Sequence, residues 1–214
     1  GDAAVEMDMY SQRTLINGQP VSSGLIEDTG AFSAADDIMP ITVTEAEIDY
    51  DRDGTAETLY VRMTDGERIE ETAPGPFMGE YWEGRFRLEL VSHEGTLLHT
   101  LELNPSFGEE RLMFASSREF QLAFADYNDD GFPDFSIGQY ASSNGFIYNV
   151  YSLMPDGMIV LHRDLFAARG AYSVLFEKAG AAAFRNRFYD NAKGEYAEAI
   201  YVWQGDRFVR DTVE

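Results

Sequence analysis

The chain has 214 residues, 44% of them hydrophobic, which is enough for a substantial core in one domain or one and a half. It contains no cysteine, which excludes disulfides, thiolate metal sites and a cysteine nucleophile within it. The formal net charge is −22, spread unevenly as 6 Lys/Arg against 22 Asp/Glu in residues 1–107 and 10 against 16 in residues 108–214; such a surface is repelled by nucleic acid and anionic lipid and attracts divalent cations and basic proteins, although charge also serves plain solubility.

Residues 1–40 are weakly patterned and are expected to form an N-terminal arm or linker. The opening Gly-Asp-Ala-Ala suggests a mature or trimmed start that has lost an export signal, with Gly1 as a remnant of tag removal. Asn17-Gly18, between Thr14-Leu15-Ile16 and Val21, predicts a hairpin turn. Residues 27–40 mix Asp, Gly, Ala and Ser and end at Pro40, as a linker would. No apolar run is long enough to span a membrane, so no membrane insertion is expected.

Strand signals begin at Ile41. Aromatic residues make up 14% of the chain, with 12 Tyr and 15 Phe, and favour strands over helices. Residues 41–48 lead into an acidic loop. Leu59, Val61 and Met63 then alternate with Tyr60, Arg62 and Thr64 at the period of a half-buried strand. Asp65-Gly66 predicts a turn, and 66–84 an irregular insertion holding Phe77, Tyr81 and Trp82 among prolines and glycines. Those rings suit either an exposed platform for sugar or protein or a loop folded back over an apolar patch. Strands resume with Phe86, Leu88 and Leu90, turn at Glu94-Gly95, and return through Leu97, His99, Leu101 and Leu103.

Residues 104–118 form a connector, with 108–118 the best candidate for a short helix. Phe120, Leu122 and Phe124 alternate into a second acidic loop. Strands then follow through Phe135 and Ile137, at 146–153 and at 158–162, with turns at Ser142-Ser143-Asn144-Gly145 and Pro155-Asp156-Gly157. A third unit at 171–214 uses strands at 172–177, 183–189, 196–203 and 207–211, and its first turn has no acidic loop. The expected fold is all-β: a single repeat domain over 41–214 of four-stranded antiparallel meanders, with units at about 41–103, 119–162 and 171–214. Its architecture is β-propeller-like but short of the roughly 4–8 blades of an ordinary closed ring.

The two acidic loops follow one pattern. Asp49-Tyr50-Asp51-Arg52-Asp53-Gly54-Thr55-Ala56-Glu57 and Asp126-Tyr127-Asn128-Asp129-Asp130-Gly131-Phe132-Pro133-Asp134 place oxygens at positions 1, 3, 5 and 9, with glycine at position 6. A glycine after the third ligand permits the tight curl that aims several oxygens at one point, and hard oxygen donors suit calcium. The candidate metal ligands are Asp49, Asp51, Asp53, the Thr55 carbonyl and Glu57 in the first loop, and Asp126, Asn128, Asp130, the Phe132 carbonyl and Asp134 in the second. These are not EF-hands, because position 12 is Tyr60 or Ile137 rather than a bidentate glutamate. The alternative is an acidic turn without metal, against which stands the repulsion of four carboxylates within nine residues.

Asp-x-Asp/Asn-x-Asp-Gly-x-x-Asp/Glu between strands resembles the calcium loop of FG-GAP and VCBS repeats. The likeness is carried by Phe120–Ile137 with the Phe146–His162 hairpin, by Glu47–Val61, and by the closing run Tyr196–Val209. It implies calcium binding, propeller-like blades and a secreted or cell-envelope location, and it implies no catalysis.

Other chemistry is sparse. His93 and His99 flank a turn rather than sharing a helix face, so a zinc-protease site is absent, and His99 shares a face with Leu97 and Leu101 as a core histidine would. There is no Gly-x-Ser-x-Gly and no Walker loop. The expected function is that of an extracytoplasmic calcium-binding protein whose ion is structural and which binds a protein or glycan partner at the cell surface. A sharper version is an acidic inhibitor that captures a cationic cell-wall hydrolase. A glycoside hydrolase would need a carboxylate pair outside the loops, and no spacing marks one.

Overall fold

The computed structural model describes residues 39–117 and 120–211, together with the backbone of three short strands before them. Those strands, β1 (Val5–Met7), β2 (Thr14–Ile16) and β3 (Gln19–Pro20), form an antiparallel sheet in which Ile16 lies opposite Gln19. The turn expected at Asn17-Gly18, with Val21, lies outside the described residues, as do Gly1 and residues 27–38 of the linker expected at 27–40.

The described chain is all-β. Three sheets follow one another in sequence, each an antiparallel meander of four strands in chain order. The first contains β4 (Ile41–Ile48), β5 (Glu57–Glu71), β6 (Gly79–Val91) and β7 (Leu97–Glu102). A single helical turn, α1 (Asn104–Phe107), leads to β8 (Leu112–Ala115), which pairs with the far half of β6. The second sheet contains β9 (Phe124–Ala125), β10 (Asp134–Ser142), β11 (Gly145–Met154) and β12 (Gly157–Ala167). The third contains β13 (Glu177–Gly180), β14 (Ala183–Asp190), β15 (Glu195–Trp203) and β16 (Phe208–Asp211). None of these sheets closes on itself.

Period-2 alternation explains how they stack. In the first sheet Leu59, Val61 and Met63 lie opposite Leu90, Leu88 and Phe86, and all six are fully buried. They pack with Phe135, Ile137, Tyr151 and Leu153 of the second sheet. The other face of that sheet sends Tyr148 and Val150 into a second core with Phe176, Phe184 and Phe208 of the third. The middle sheet is thus covered on both sides, and β10 and β11 are buried along most of their length. Full burial of each such side chain contributes about 1.5–3 kcal/mol. The outward faces of the flanking sheets are polar: Arg62 and Arg87 grip the buried Glu89 on the first, and Arg185 pairs with Glu198 at 3.0 Å on the third.

Several expectations are corrected. Asp65-Gly66 is not a turn and 66–84 is not irregular: both lie largely within one long hairpin, where Gly66 stands opposite Gly84. Of the helix expected at 108–118, the described residues 108–117 are not helical, because Leu112 and Phe114 are buried in alternation with Met113 and Ala115 on a strand. The third unit's first strand begins at Glu177 rather than 172, and only Phe124 of the Phe120–Phe124 run lies in a strand.

Candidate metal centre

Each acidic loop joins the first strand of its meander to the second, β4 to β5 and β9 to β10. The two share a backbone conformation. Position 4 is left-handed in both, with φ 63° at Arg52 and 61° at Asp129, and the position 6 glycine has φ 91° at Gly54 and 90° at Gly131. Side chains stabilise the curl in the same way. The Gly54 N–H donates to Asp49 Oδ2 at 3.1 Å and the Gly131 N–H to Asp126 Oδ2 at 3.0 Å. The Thr55 and Phe132 N–H groups donate to Asp53 and Asp130 at 2.7 and 2.9 Å, and the Asp53 and Asp130 N–H groups to Asp51 and Asn128. Such local bonds are what Asx side chains make in tight turns.

The carboxylates of the first loop converge. Ligand oxygens of Asp49, Asp51 and Glu57 lie within 4.8 Å of one another, the only such acidic or histidine triplet among the described residues. Glu57, the first residue of β5, is only 5% exposed. Its Oε2 and the Oδ1 of Asp49 are buried without a hydrogen-bond partner. Burial pushes the Glu57 carboxyl above its ordinary range, and the charges of Asp51 and Asp53 add to this. Asp53 stands outside the triplet, its Oδ1 occupied by the Thr55 N–H.

In the second loop Asp134, the first residue of β10, is completely buried. Its Oδ2 accepts the Tyr127 N–H at 2.7 Å, while Oδ1 has no partner. Burial pushes its pKa up to about 7; Asp130 and Asp126 push the same way, against Ser152 and the Tyr127 N–H. Asp126, Asp130 and Asp134 do not form a comparable triplet, and the Asn128 amide donates to Asp130 Oδ2 at 2.7 Å. The sequence-predicted ligands therefore come together most fully as Asp49, Asp51 and Glu57, with Asp134 as the buried carboxylate of the other loop.

Buried polar atoms are almost always hydrogen-bonded, and an unpaired buried carboxylate is costly. Three of the five buried side-chain atoms without partners among the described residues belong to position 1 or position 9 of these loops. A hard divalent cation bound by those oxygens would offset that cost, so the donor set fits an oxygen-ligated metal.

Four further residues hold the loops, and their roles were not read from the sequence. Tyr50 and Tyr127, both at position 2, are buried, Tyr50 in the first core and Tyr127 in the second. The Tyr127 hydroxyl accepts the Phe176 N–H at 2.9 Å. A tyrosine at the same place in both loops was the available signal. Arg52 reaches across to the second loop, where its guanidinium donates to the Gly131 carbonyl. Lys178 of β13 likewise donates to the Asp126 carbonyl, so the two loops and the edge of the third sheet lie side by side.

Elsewhere His93 is exposed beside Glu94 at 3.9 Å, and His99 is half-buried in β7. Phe77 folds back against Tyr140 of the second sheet, with ring centroids 5.1 Å apart. No helix among the described residues is long and apolar enough to cross a membrane. Comparison of the chain with protein-family models, with characterised proteins and with solved structures finds no match.

Proposed function

We propose that this is a calcium-binding β protein in which the ion is structural, and that it works as an extracytoplasmic interaction module built from FG-GAP/VCBS-type blades. The observation that carries the reading is the convergence of Asp49, Asp51 and Glu57 around carboxylate oxygens that are buried and unpaired. Calcium is the favoured ion because every side-chain donor is a hard oxygen, with no sulfur or imidazole in the set, and because calcium accepts six to eight such ligands in flexible geometry. Asp49, Asp51 and Glu57 would hold one ion; Asp126, Asp130 and Asp134 would hold a second after a small rearrangement of the loop.

A propeller-like arrangement is supported by the three meanders, which run in chain order, share cores face to face, and carry their acidic loops at the same strand connection. An extracytoplasmic setting fits a loop of this kind, since extracellular modules bind calcium at roughly 10⁻⁴–10⁻³ M. The partner would be a protein or a glycan at the cell surface.

The test is calorimetric titration of chelator-treated protein with calcium, paired with thermal melts. Ligand at about 100 times Kd stabilises a fold by about 2.7 kcal/mol. In a chain of this size each kcal/mol raises Tm by about 2–4 °C. Saturating calcium is therefore expected to raise Tm by several degrees, and Glu57→Gln to remove at least half of the binding heat. Absence of heat and an unchanged melt after thorough chelation and calcium add-back would overturn the proposal.

A further inference from the structure

The loop between β5 and β6 closes one side of a cleft of about 580 Å³. Its walls are rings drawn from separate parts of the chain: Phe77 from the hairpin tip, Tyr81 from β6, Tyr140 and Phe146 from β10 and β11, and Tyr172 from the segment before β13. Neighbouring rings stand steeply to one another. Phe77 and Tyr140 meet at 75°, Tyr140 and Phe146 at 80° with centroids 5.8 Å apart, and Phe146 and Tyr172 at 67°, also 5.8 Å apart. Coplanar rings would make a platform for the flat face of a sugar; rings at steep angles make the corners of a box.

Among the described residues that line the cleft, Glu80 is the charged one. Glu80 is salt-bridged to Arg68, which holds its carboxyl below the ordinary range and keeps it an anion at neutral pH. The negative faces of aromatic rings attract cations within about 6 Å of the centroid. The net charge of −22 enriches cations around the whole molecule. A bare ammonium is held chiefly by hydrogen-bond acceptors rather than by ring faces. A quaternary ammonium instead presents methyl groups to those walls while keeping its charge.

The geometry points to the Phe77–Tyr140–Phe146–Tyr172 cleft as a binding site for a compact organic cation, the quaternary ammonium group of a small molecule, with Glu80 at its edge. Met78, which is 61% exposed, marks the opening to solvent. No residue of the two acidic loops lines it.

Choline is the probe, titrated calorimetrically into the full chain in calcium-containing buffer. Its neutral isostere, with carbon in place of the ammonium nitrogen, is the control. Saturable one-to-one binding of choline is expected, with the isostere weaker by about tenfold or more. Phe77→Ala, at a loop tip, should weaken choline by a similar factor while the variant still melts cooperatively, and Glu80→Gln by a smaller one. Equal binding of the two probes would overturn the inference in favour of a plain apolar cleft. Full retention of binding in Phe77→Ala would reduce it to non-specific attraction by the acidic surface. Failure of choline to bind saturably, or binding of a neutral oligosaccharide in its place, would also overturn it.

Discussion

Asp134 shows most clearly what the acidic loops ask of the fold. Its carboxyl is fully buried at the start of β10, one oxygen has no partner, and its pKa is raised from 3.8 to about 7. The folded, metal-free protein therefore holds a proton on Asp134 between about pH 4 and 7 that the unfolded chain has released. The stability from this group is present below its unfolded pKa and lost as pH rises through the folded one. The size of the loss is on the order of 4 kcal/mol. Melts of chelator-treated protein should accordingly show a higher Tm at about pH 5 than at neutral pH, and Asp134→Asn should flatten that dependence. Since many of the 38 acids also repel one another less when protonated, the difference between variant and parent is the informative quantity. Identical slopes in the two proteins would place the pH dependence elsewhere. The spacing of oxygens around a glycine was legible at this scale. What spacing could not give is which oxygens lose their partners, because that depends on the burial of Glu57 and Asp134 at the mouths of β5 and β10.

The long β5–β6 hairpin shows where element-level reading fails and why. Asp65-Gly66 has the composition of a turn, yet Gly66 sits inside β5 opposite Gly84 of β6. The two strands approach so closely there that a Cβ on Gly66 would lie 2.3 Å from the Glu83 carbonyl, and one on Gly84 would lie 2.1 Å from that of Asp65. The glycine thus serves close backbone approach rather than chain reversal. Beyond it the strands are rich in Glu and Arg, without the apolar alternation that identifies a half-buried strand. Leu112-Met113-Phe114-Ala115 pairs with this same far half of β6, at 81–84, and a short apolar run cannot be assigned by periodicity alone. The other meanders were legible because β10, β11, β14 and β15 are bounded by short Gly-containing turns that keep their ordinary meaning. Gly84→Val is predicted to destabilise the protein by about 1–3 kcal/mol through overpacking. Lower Tm and altered fluorescence of neighbouring Trp82 would report it. Gly75→Ala, where no atom lies within 4 Å of the added Cβ, should leave both unchanged. Equal effects from the two variants would mean that the close approach does not limit stability.

At the scale of the whole molecule, three sheets share two cores, and the acidic loops lie together at one end of the stack. Arg52 ties the first loop to the Gly131 carbonyl of the second, and Lys178 ties the second loop to the third sheet. These contacts do more than add hydrogen bonds. Without metal, the carboxylates of the two loops repel one another, and the Arg52 guanidinium brings a positive charge to the second loop at the Gly131 carbonyl. If each loop holds a divalent ion, as proposed, most of that repulsion is gone and the arginine has less to offset. The effect of removing it should therefore depend on calcium. Arg52→Ala is expected to cost about 1 kcal/mol in chelator, below the usual range for a hydrogen bond from a charged group because the side chain is exposed. That corresponds to a fall of about 2–4 °C in Tm for a chain of this size. In saturating calcium the fall should shrink to a fraction of this value. An equal fall in both conditions would mean that Arg52 acts through packing and hydrogen bonding alone. A larger fall in calcium would mean that it positions the second loop for metal, and the variant's second binding step should then weaken in calorimetry while its first is preserved.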